Sequence, residues 1–392
     1  MASICGNCFG TKGDSPVCPY CGYNEVADHE RFPTALPCGI ELGNAYTLGR
    51  VLGQGGFGIT YVARDNASGA RVAVKEYFPD SMATRSSSRT VTAYSGERGD
   101  GFRYGMDCFL EEAKTLASFI GNPSIVRVYR YFEENGTAYF VMEYVEGVSL
   151  KDYLRSHGGR ISFEEAKSIL VPIMDALSVV HSKGIIHRDV SPDNIVIKKN
   201  GEVKLLDFGA ARYSIGDMSR SLDVVLKHGY APREQYSRHG RQGPFTDVYS
   251  LGATFYRAIT GIIPQDSIDR VDNDMMVTPR AFCPDLTPQG EYAIYKALAV
   301  QPDERFRTTQ QFKEALLSQG RTPSAHFKSA PKQPKKPTAQ PPMPSVQPPA
   351  VSGYPTQTPP QKPFSPLKTA LLSFGISLAV FAVILLIIIL SR

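Results

Sequence analysis

Hydrophobic and polar positions change rhythm several times along this chain. Runs rich in β-branched and aromatic residues, RVAVKEYF at 71–78 and TAYFVMEYV at 137–145, predict strands. Apolar residues at helical spacing (Ala166, Ile169, Leu170, Ile173, Leu177, Val180) predict a helix over 163–183, opened by a capping box of Ser162 and Glu165. Pro172 inside that helix should kink it or remove one hydrogen bond. FLEEAKTL at 109–116 reads as another helix. Strand and helix patterns alternate from about 46 to 318, room for one large domain.

The flanks follow other rules. From 319 to 366 prolines recur about every third residue among scattered lysines, and large apolar groups are few. Such a chain buries too little surface to offset its ordering entropy, so it reads as a disordered linker. Ala370 to Leu390 is 21 residues without a charge, the length of a bilayer's hydrocarbon core, and predicts a transmembrane helix over about 368–390. Lys362 and Lys368 precede it, which agrees with an N-terminal side in the cytoplasm. No leader pattern opens the chain, and only Ser391 and Arg392 follow the apolar run, so sensing is expected on the cytoplasmic side.

Charge and cysteine usage narrow the classes. A net charge of +5 over 392 residues does not suggest a nucleic-acid partner. Four of seven cysteines fall in CGNCFGTKGDSPVCPYCG. Cys5, Cys8, Cys18 and Cys21 form two C-x-x-C knuckles that can surround a zinc ion tetrahedrally, so residues 1–30 read as a zinc ribbon. A closed four-thiolate shell is structural and leaves no position for substrate. Unpaired or redox cysteines are the alternative. Two basic against five acidic residues in 1–45 argue against nucleic-acid binding there.

The chemistry lies in the large domain. GQGGFG, from Gly53 through Gln54, Gly55, Gly56 and Phe57 to Gly58, is a turn whose missing β-carbons let backbone approach phosphates. Alone it also fits a dinucleotide-binding turn. It lies between two strand-like runs, however, and the next strand carries VAVK, with Lys75 placed to reach phosphates. HRDVSPDN and LLDFGAA follow, offering Asp189 as acceptor of a hydroxyl proton and Asn194 and Asp207 as oxygen ligands for magnesium.

In the order GQGGFG, VAVK, Glu112, HRDVSPDN, DFG, YAPREQY, TDVYSLG and PDERF, about 270 residues resemble the eukaryotic-type protein kinase family, in its bacterial membrane-anchored Ser/Thr branch. The resemblance implies an α+β, two-lobed fold with a small β-rich lobe and a large helical one. It implies ATP and Mg²⁺ as cofactors, protein substrates, and admits a homodimer for autophosphorylation. Residue by residue it implies a Lys75–Glu112 pair, Glu143 and Val145 meeting adenine near Met142, with Thr60 and Ala73 covering it. It also implies a buried Glu234–Arg305 bridge, a stack of His187 on Phe208, and Asp247 bracing the catalytic loop.

Departures from the family pattern matter as much. Thr60 replaces a valine; residues 81–105, rich in Ser, Arg and Gly, read as a flexible surface loop; Arg233 splits the familiar A-P-E. Ser191 stands where a lysine is usual, and the threonine expected upstream of YAPREQY is absent. Losing one preorganised donor costs about 10² to 10³ in rate, so something must substitute. Lys227, near the missing threonine's place, is the candidate, against the alternative that it faces solvent. Arg188 beside Asp189 suggests control by phosphorylation, at Ser214, Ser219 or Ser221. An inactive, membrane-tethered nucleotide-binding scaffold is the competing function.

Overall fold

A computed structural model describes residues 4–119, 121–208, 226–237 and 240–318. The proline-rich stretch, the apolar run at 370–390 and Ser214, Ser219 and Ser221 lie outside the described residues. Among the described residues no helix is long and apolar enough to cross a membrane.

In chain order the described elements begin with helix α1 (Glu25–Arg31), then strands β1 (Glu41–Leu42), β2 (Tyr46–Gly55), β3 (Gly58–Asp65), β4 (Arg71–Tyr77), β5 (Ala83–Arg85) and β6 (Val91–Ala93). Helix α2 (Glu97–Ala117) and strands β7 (Val128–Glu134), β8 (Thr137–Glu143) and β9 (Gly147–Ser149) follow. The rest is mainly helical: α3 (Leu150–Ser156), α4 (Phe163–Ser182), the short strands β10 (Ile195–Lys198) and β11 (Val203–Leu205), then α5 (Pro244–Thr260), α6 (Asp269–Asp272), α7 (Pro288–Ala297) and α8 (Thr309–Leu317).

Strands β1, β2, β3, β4, β8 and β7 form one sheet in that order. Buried Ile59, Tyr61, Val74, Phe109, Leu116 and Phe140 belong to one apolar core, between this sheet and α2. A second core, with Leu170, Ile173, Leu177, Leu251, Phe255, Ile294 and Phe312, joins α4, α5, α7 and α8. Two separate cores make two lobes, as the resemblance implies.

Helix α4 matches the predicted periodicity. Ser162 Oγ accepts the Glu165 N–H at 3.2 Å, but the Glu165 carboxylate accepts from Tyr153 Oη at 2.6 Å instead of closing a capping box. The helix runs through Pro172 without interruption. Proline lacks an N–H, so the cost there is one hydrogen bond.

The segment 81–105 is not a flexible loop. It folds into the β5–β6 hairpin and the first turns of α2, with Met82, Ala83, Val91 and Phe102 buried. One of its glycines serves packing: a β-carbon at Gly99 would collide with the carbonyl of Tyr94. The anchor is Arg85, which meets the fully buried carboxylate of Glu76 at 2.7 Å and donates to Thr34 O at 2.7 Å. Tyr61 and Tyr139 donate to the same carboxylate at 2.8 and 2.7 Å. Removing the arginine strands a buried charge, so Arg85→Ala should cost about 3 kcal/mol. A lowered urea midpoint checks this; an unchanged midpoint would mean the tyrosines suffice.

Candidate active site

Between the lobes lies a cleft of about 940 Å³, lined by every phosphate-chemistry residue singled out above, from Gly53 to Lys227. Its roof is the β2–β3 hairpin. A β-carbon at Gly58 would strike the carbonyl of Glu76, so that glycine lets β3 approach β4. At Gly53, Gly55 and Gly56 a β-carbon would meet nothing within 4 Å, and none has a positive φ. The fold therefore makes no demand for these three. A phosphate approaching the backbone does, and the hairpin fits a nucleotide on that ground.

Lys75 reaches across the cleft from β4 to Asp207 Oδ1 at 2.7 Å. Burial pushes the ammonium down, but Asp207, Glu112 and Asp189 more than offset it, so Lys75 is held above its ordinary range. Burial likewise opposes Asp207, and Lys75 overcomes it, keeping that group an anion. Glu112, 6% exposed on α2, lines the same cleft, and its charge raises Lys75; among the described residues the contact-distance ion pair of Lys75 is with Asp207. Glu143 and Val145 also line the cleft, and the Glu143 carboxylate is held by Lys204 at 2.7 Å.

The floor is the turn His187–Asn194. Arg188 has φ +66°, an uncommon backbone conformation for arginine that persists only when its surroundings hold it. The clamp is the fully buried Asp247 on α5, whose carboxylate accepts the N–H of His187 and of Arg188, each at 2.8 Å. His181 Nε2 lies 2.7 Å from the same carboxylate. Burial pushes Asp247 up; its hydrogen bond and charge interaction with His181 dominate, so it stays below the usual carboxylate range. Gln235 Nε2 donates to Arg188 O at 3.0 Å and completes the hold.

His187 is fully buried, and burial pushes its pKa down, which favours the neutral ring. Its Nε2 donates to Leu206 O at 2.9 Å and its Nδ1 accepts the Asp189 N–H at 3.2 Å. Its ring lies 4.4 Å from that of Phe208. One side chain thus ties Asp189 to the Leu206–Phe208 segment that carries Asp207. The Asn194 amide donates to Asp189 O at 2.7 Å, which leaves its carbonyl oxygen as the acceptor. An amide oxygen and a carboxylate beside phosphate oxygens are the hard donors magnesium takes.

Further out, Arg305 meets Glu234 at 2.7 Å with both side chains buried, the expected bridge. Sequence reasoning missed Arg50, which lines the cleft from β2. It also missed the clamp on Glu76, although alternation along β4 puts that residue on the face opposite Lys75.

The chain matches the protein kinase domain family over residues 46–315. This chain is a member of that family. Among curated relatives, the kinase domain is 34% identical to "Serine/threonine-protein kinase PknA" of Nostoc sp. over 284 residues, 70% of this chain and 47% of that protein. It is 31% identical to "Serine/threonine-protein kinase PknA" of Mycobacterium tuberculosis over 312 residues, 77% and 68% of the two chains. A solved structure, "PpkA-294 apo form", superposes with a TM-score of 0.65 at 35% identity, covering 72% of this chain and 99% of that one. The chain spans less than half the length of four of the curated relatives it matches.

Outside the kinase cleft, the sulfurs of Cys5, Cys8, Cys18 and Cys21 lie within 4.8 Å of one another. Cys5 and Cys21 Sγ are 3.6 Å apart, Cys8 and Cys18 Sγ 3.7 Å. Those separations exceed a disulfide's roughly 2.05 Å. They suit a tetrahedron with bonds of about 2.3 Å, whose edges are about 3.8 Å. Two matching turns shape the knuckles: Phe9 N–H to Cys5 O and Gly22 N–H to Cys18 O, both at 2.9 Å.

The first knuckle touches the kinase sheet directly. Gly6 O accepts the Arg50 N–H at 2.7 Å, and Asn7 Oδ1 accepts from Arg50 Nε at 2.8 Å. A β-carbon at Gly49 would collide with Gly6 O.

Asp247→Ala should cost about 3–5 kcal/mol, since it leaves the backbone N–H groups of His187 and Arg188, and His181, without their fully buried acceptor. Urea denaturation measures this; a midpoint like that of the native chain would mean the loop holds its own turn.

Proposed function

We propose that this chain is an ATP-dependent protein kinase acting on serine and threonine hydroxyls. The carrying observation is the 2.7 Å Lys75–Asp207 pair in one cleft with Asp189, Asn194 and the glycine hairpin. Lys75 and the hairpin N–H groups hold the nucleotide phosphates. Asp207 and Asn194 would hold Mg²⁺, which neutralises phosphate charge when bound. Asp189 orients the substrate hydroxyl and takes its proton as the oxygen attacks the γ-phosphorus; the bond to the β–γ bridging oxygen breaks and ADP leaves. His187 keeps the Asp189 backbone in register by accepting its N–H. The protein-hydroxyl substrates and a homodimer for autophosphorylation go with this reading.

Transfer of labelled γ-phosphate from ATP to a serine/threonine peptide by the full chain is the test. Asp189→Asn should lower it about 10² to 10⁴-fold, and Lys75→Met should weaken Mg-ATP uptake in calorimetry. Nucleotide uptake without any transfer, even to the chain itself, would instead favour the scaffold that Ser191 suggests. No uptake ends both readings.

The cysteine cluster is read as a structural zinc site, on the tetrahedral sulfur spacing. Zinc there would hold the Cys5–Cys8 knuckle, whose Gly6 and Asn7 brace Arg50 on β2, three residues before Gly53. At free zinc 100 times its Kd, linkage contributes about 2.7 kcal/mol of stability. A zinc-selective chelator, added without nucleotide or magnesium, should therefore lower the melting temperature and weaken later nucleotide uptake. A chain that melts identically with and without chelator, or contains less than one zinc per molecule as purified, removes this reading. Membrane anchoring through 370–390, with the kinase domain cytoplasmic, rests on the apolar run alone.

A further inference from the structure

The lysine missing from HRDVSPDN leaves Ser191 in its place, and that side chain is fully buried against the cleft floor. Its Oγ accepts from Lys227 Nζ at 2.8 Å. The same Nζ lies 3.5 Å from Asp189 Oδ1 and 3.8 Å from Asp193 Oδ2. Lys227 comes from a different segment, between the described residues of β11 and helix α5, and lines the nucleotide cleft with 28% of its side chain exposed.

We infer that Lys227 is a catalytic residue: its ammonium, seated on Ser191, is the cation that stabilises the transferring γ-phosphoryl group. This rests on the kinase reading above. Asp189 takes the hydroxyl proton, and an attacking oxygen stands about 3–3.5 Å from the phosphorus. A cation 3.5 Å from Asp189 is therefore within a few ångströms of the group being transferred. As the hydroxyl oxygen bonds to the γ-phosphorus and the bridging bond breaks, Lys227 donates hydrogen bonds to the γ-oxygens. It neither gains nor loses its proton, and ADP carries away the bonding pair.

Positions 191 and 227 are alternatives by electrostatics. A lysine at 191 would bring a second ammonium into the space Lys227 Nζ occupies, and like charges at about 4 Å repel by roughly 4 kcal/mol near a protein surface. A small hydroxyl gives the cation both room and an acceptor.

The cation's position depends on the turn 227–231. Lys227 O accepts the N–H of Tyr230 at 3.0 Å and of Ala231 at 3.1 Å. Asp266 accepts the Gly229 N–H and lies 2.6 Å from His228 Nδ1. Ser250 and Ser267 donate to the carbonyls of Tyr230 and Ala231 at 2.9 and 2.8 Å. Gly229 has φ +78°, and a β-carbon there would strike Ile263 and Pro264, so the turn seats in one way. Asp266 is thus a positioning residue for Lys227. In the usual family arrangement the cation belongs to the catalytic loop itself; here it arrives only with this turn.

Phosphate transfer by full-chain variants tests the assignment, with Mg-ADP affinity by calorimetry and melting temperature alongside. Lys227→Ala should lower kcat about 10² to 10³-fold, while Mg-ADP affinity stays within about threefold. Adding Ser191→Lys to Lys227→Ala should return at least tenfold of the loss. Asp266→Asn should reduce kcat in the native background and leave the double variant unaffected. If the double variant melts early, recovery of Lys227→Ala by ethylammonium, against equal sodium chloride, decides instead. Unchanged turnover in Lys227→Ala overturns the assignment, as does a loss that neither Ser191→Lys nor ethylammonium relieves. Failure of the kinase reading itself looks different, because the native chain would then transfer no phosphate.

Discussion

The site depends on one ion pair between two bodies: Lys75 from the sheet lobe and Asp207 at the edge of the helical lobe, 2.7 Å apart. Charge attraction cannot set that distance by itself, because each partner sits on a chain that must first be held. On one side the next residue of β4, Glu76, points into the lobe and is gripped by Tyr61, Tyr139 and Arg85. On the other, Asp247 holds the catalytic turn, and His187 passes that hold to Leu206 and so to Asp207. Two buried carboxylates, each saturated with donors, act as mounts for a charge pair exposed to the cleft. Burying them costs desolvation, which their donors offset; the gain is a fixed geometry at the phosphates.

The role proposed for Lys227 follows the same logic. A cation near the transferred phosphoryl group is an electrostatic requirement, and electrostatics does not specify which stretch of backbone supplies it. A lysine reaches about 6 Å from its Cα, so a neighbouring turn can place the charge where the loop would have. The difference is control. A cation on the loop is present whenever the lobe is folded, whereas the one proposed on the turn 227–231 would depend on the hydrogen bonds with Asp266, Ser250 and Ser267 that seat that turn.

Much of this was legible in residue order. Glycines, Lys75, Asp189, Asn194 and Asp207 each carry a chemical requirement tied to a residue type, so their order along the chain marks the cleft. Ser191 stands out as an exception, and Lys227, the candidate named for its place, lies 2.8 Å from its Oγ. What composition hid was packing. Segment 81–105 looked flexible because Ser and Gly favour loops on average. In the fold Arg85 satisfies a buried carboxylate and Gly99 admits a carbonyl, two contacts with residues whose proximity no local pattern records. Glu165 likewise had a capping partner by spacing, yet its carboxylate went to Tyr153, a tertiary choice.

The boundary between the cysteine module and the kinase domain shows the same limit. Sequence alone reads them as separate segments, 1–30 and 46–318, but Ala35, Leu36 and Leu42 belong to the sheet lobe's core, and Leu36 N–H donates to Tyr61 Oη at 3.0 Å. Tyr61 is also one of the donors gripping Glu76. The first knuckle meanwhile bonds to Arg50, on the strand that runs into the glycine hairpin. Residues preceding the kinase domain are therefore joined to both strands of the nucleotide roof, β2 through Arg50 and β3 through Tyr61. A disturbance of the knuckle need not travel far to reach Gly53, since three residues of one strand separate them. On this geometry the N-terminal residues pack directly against both strands of the roof.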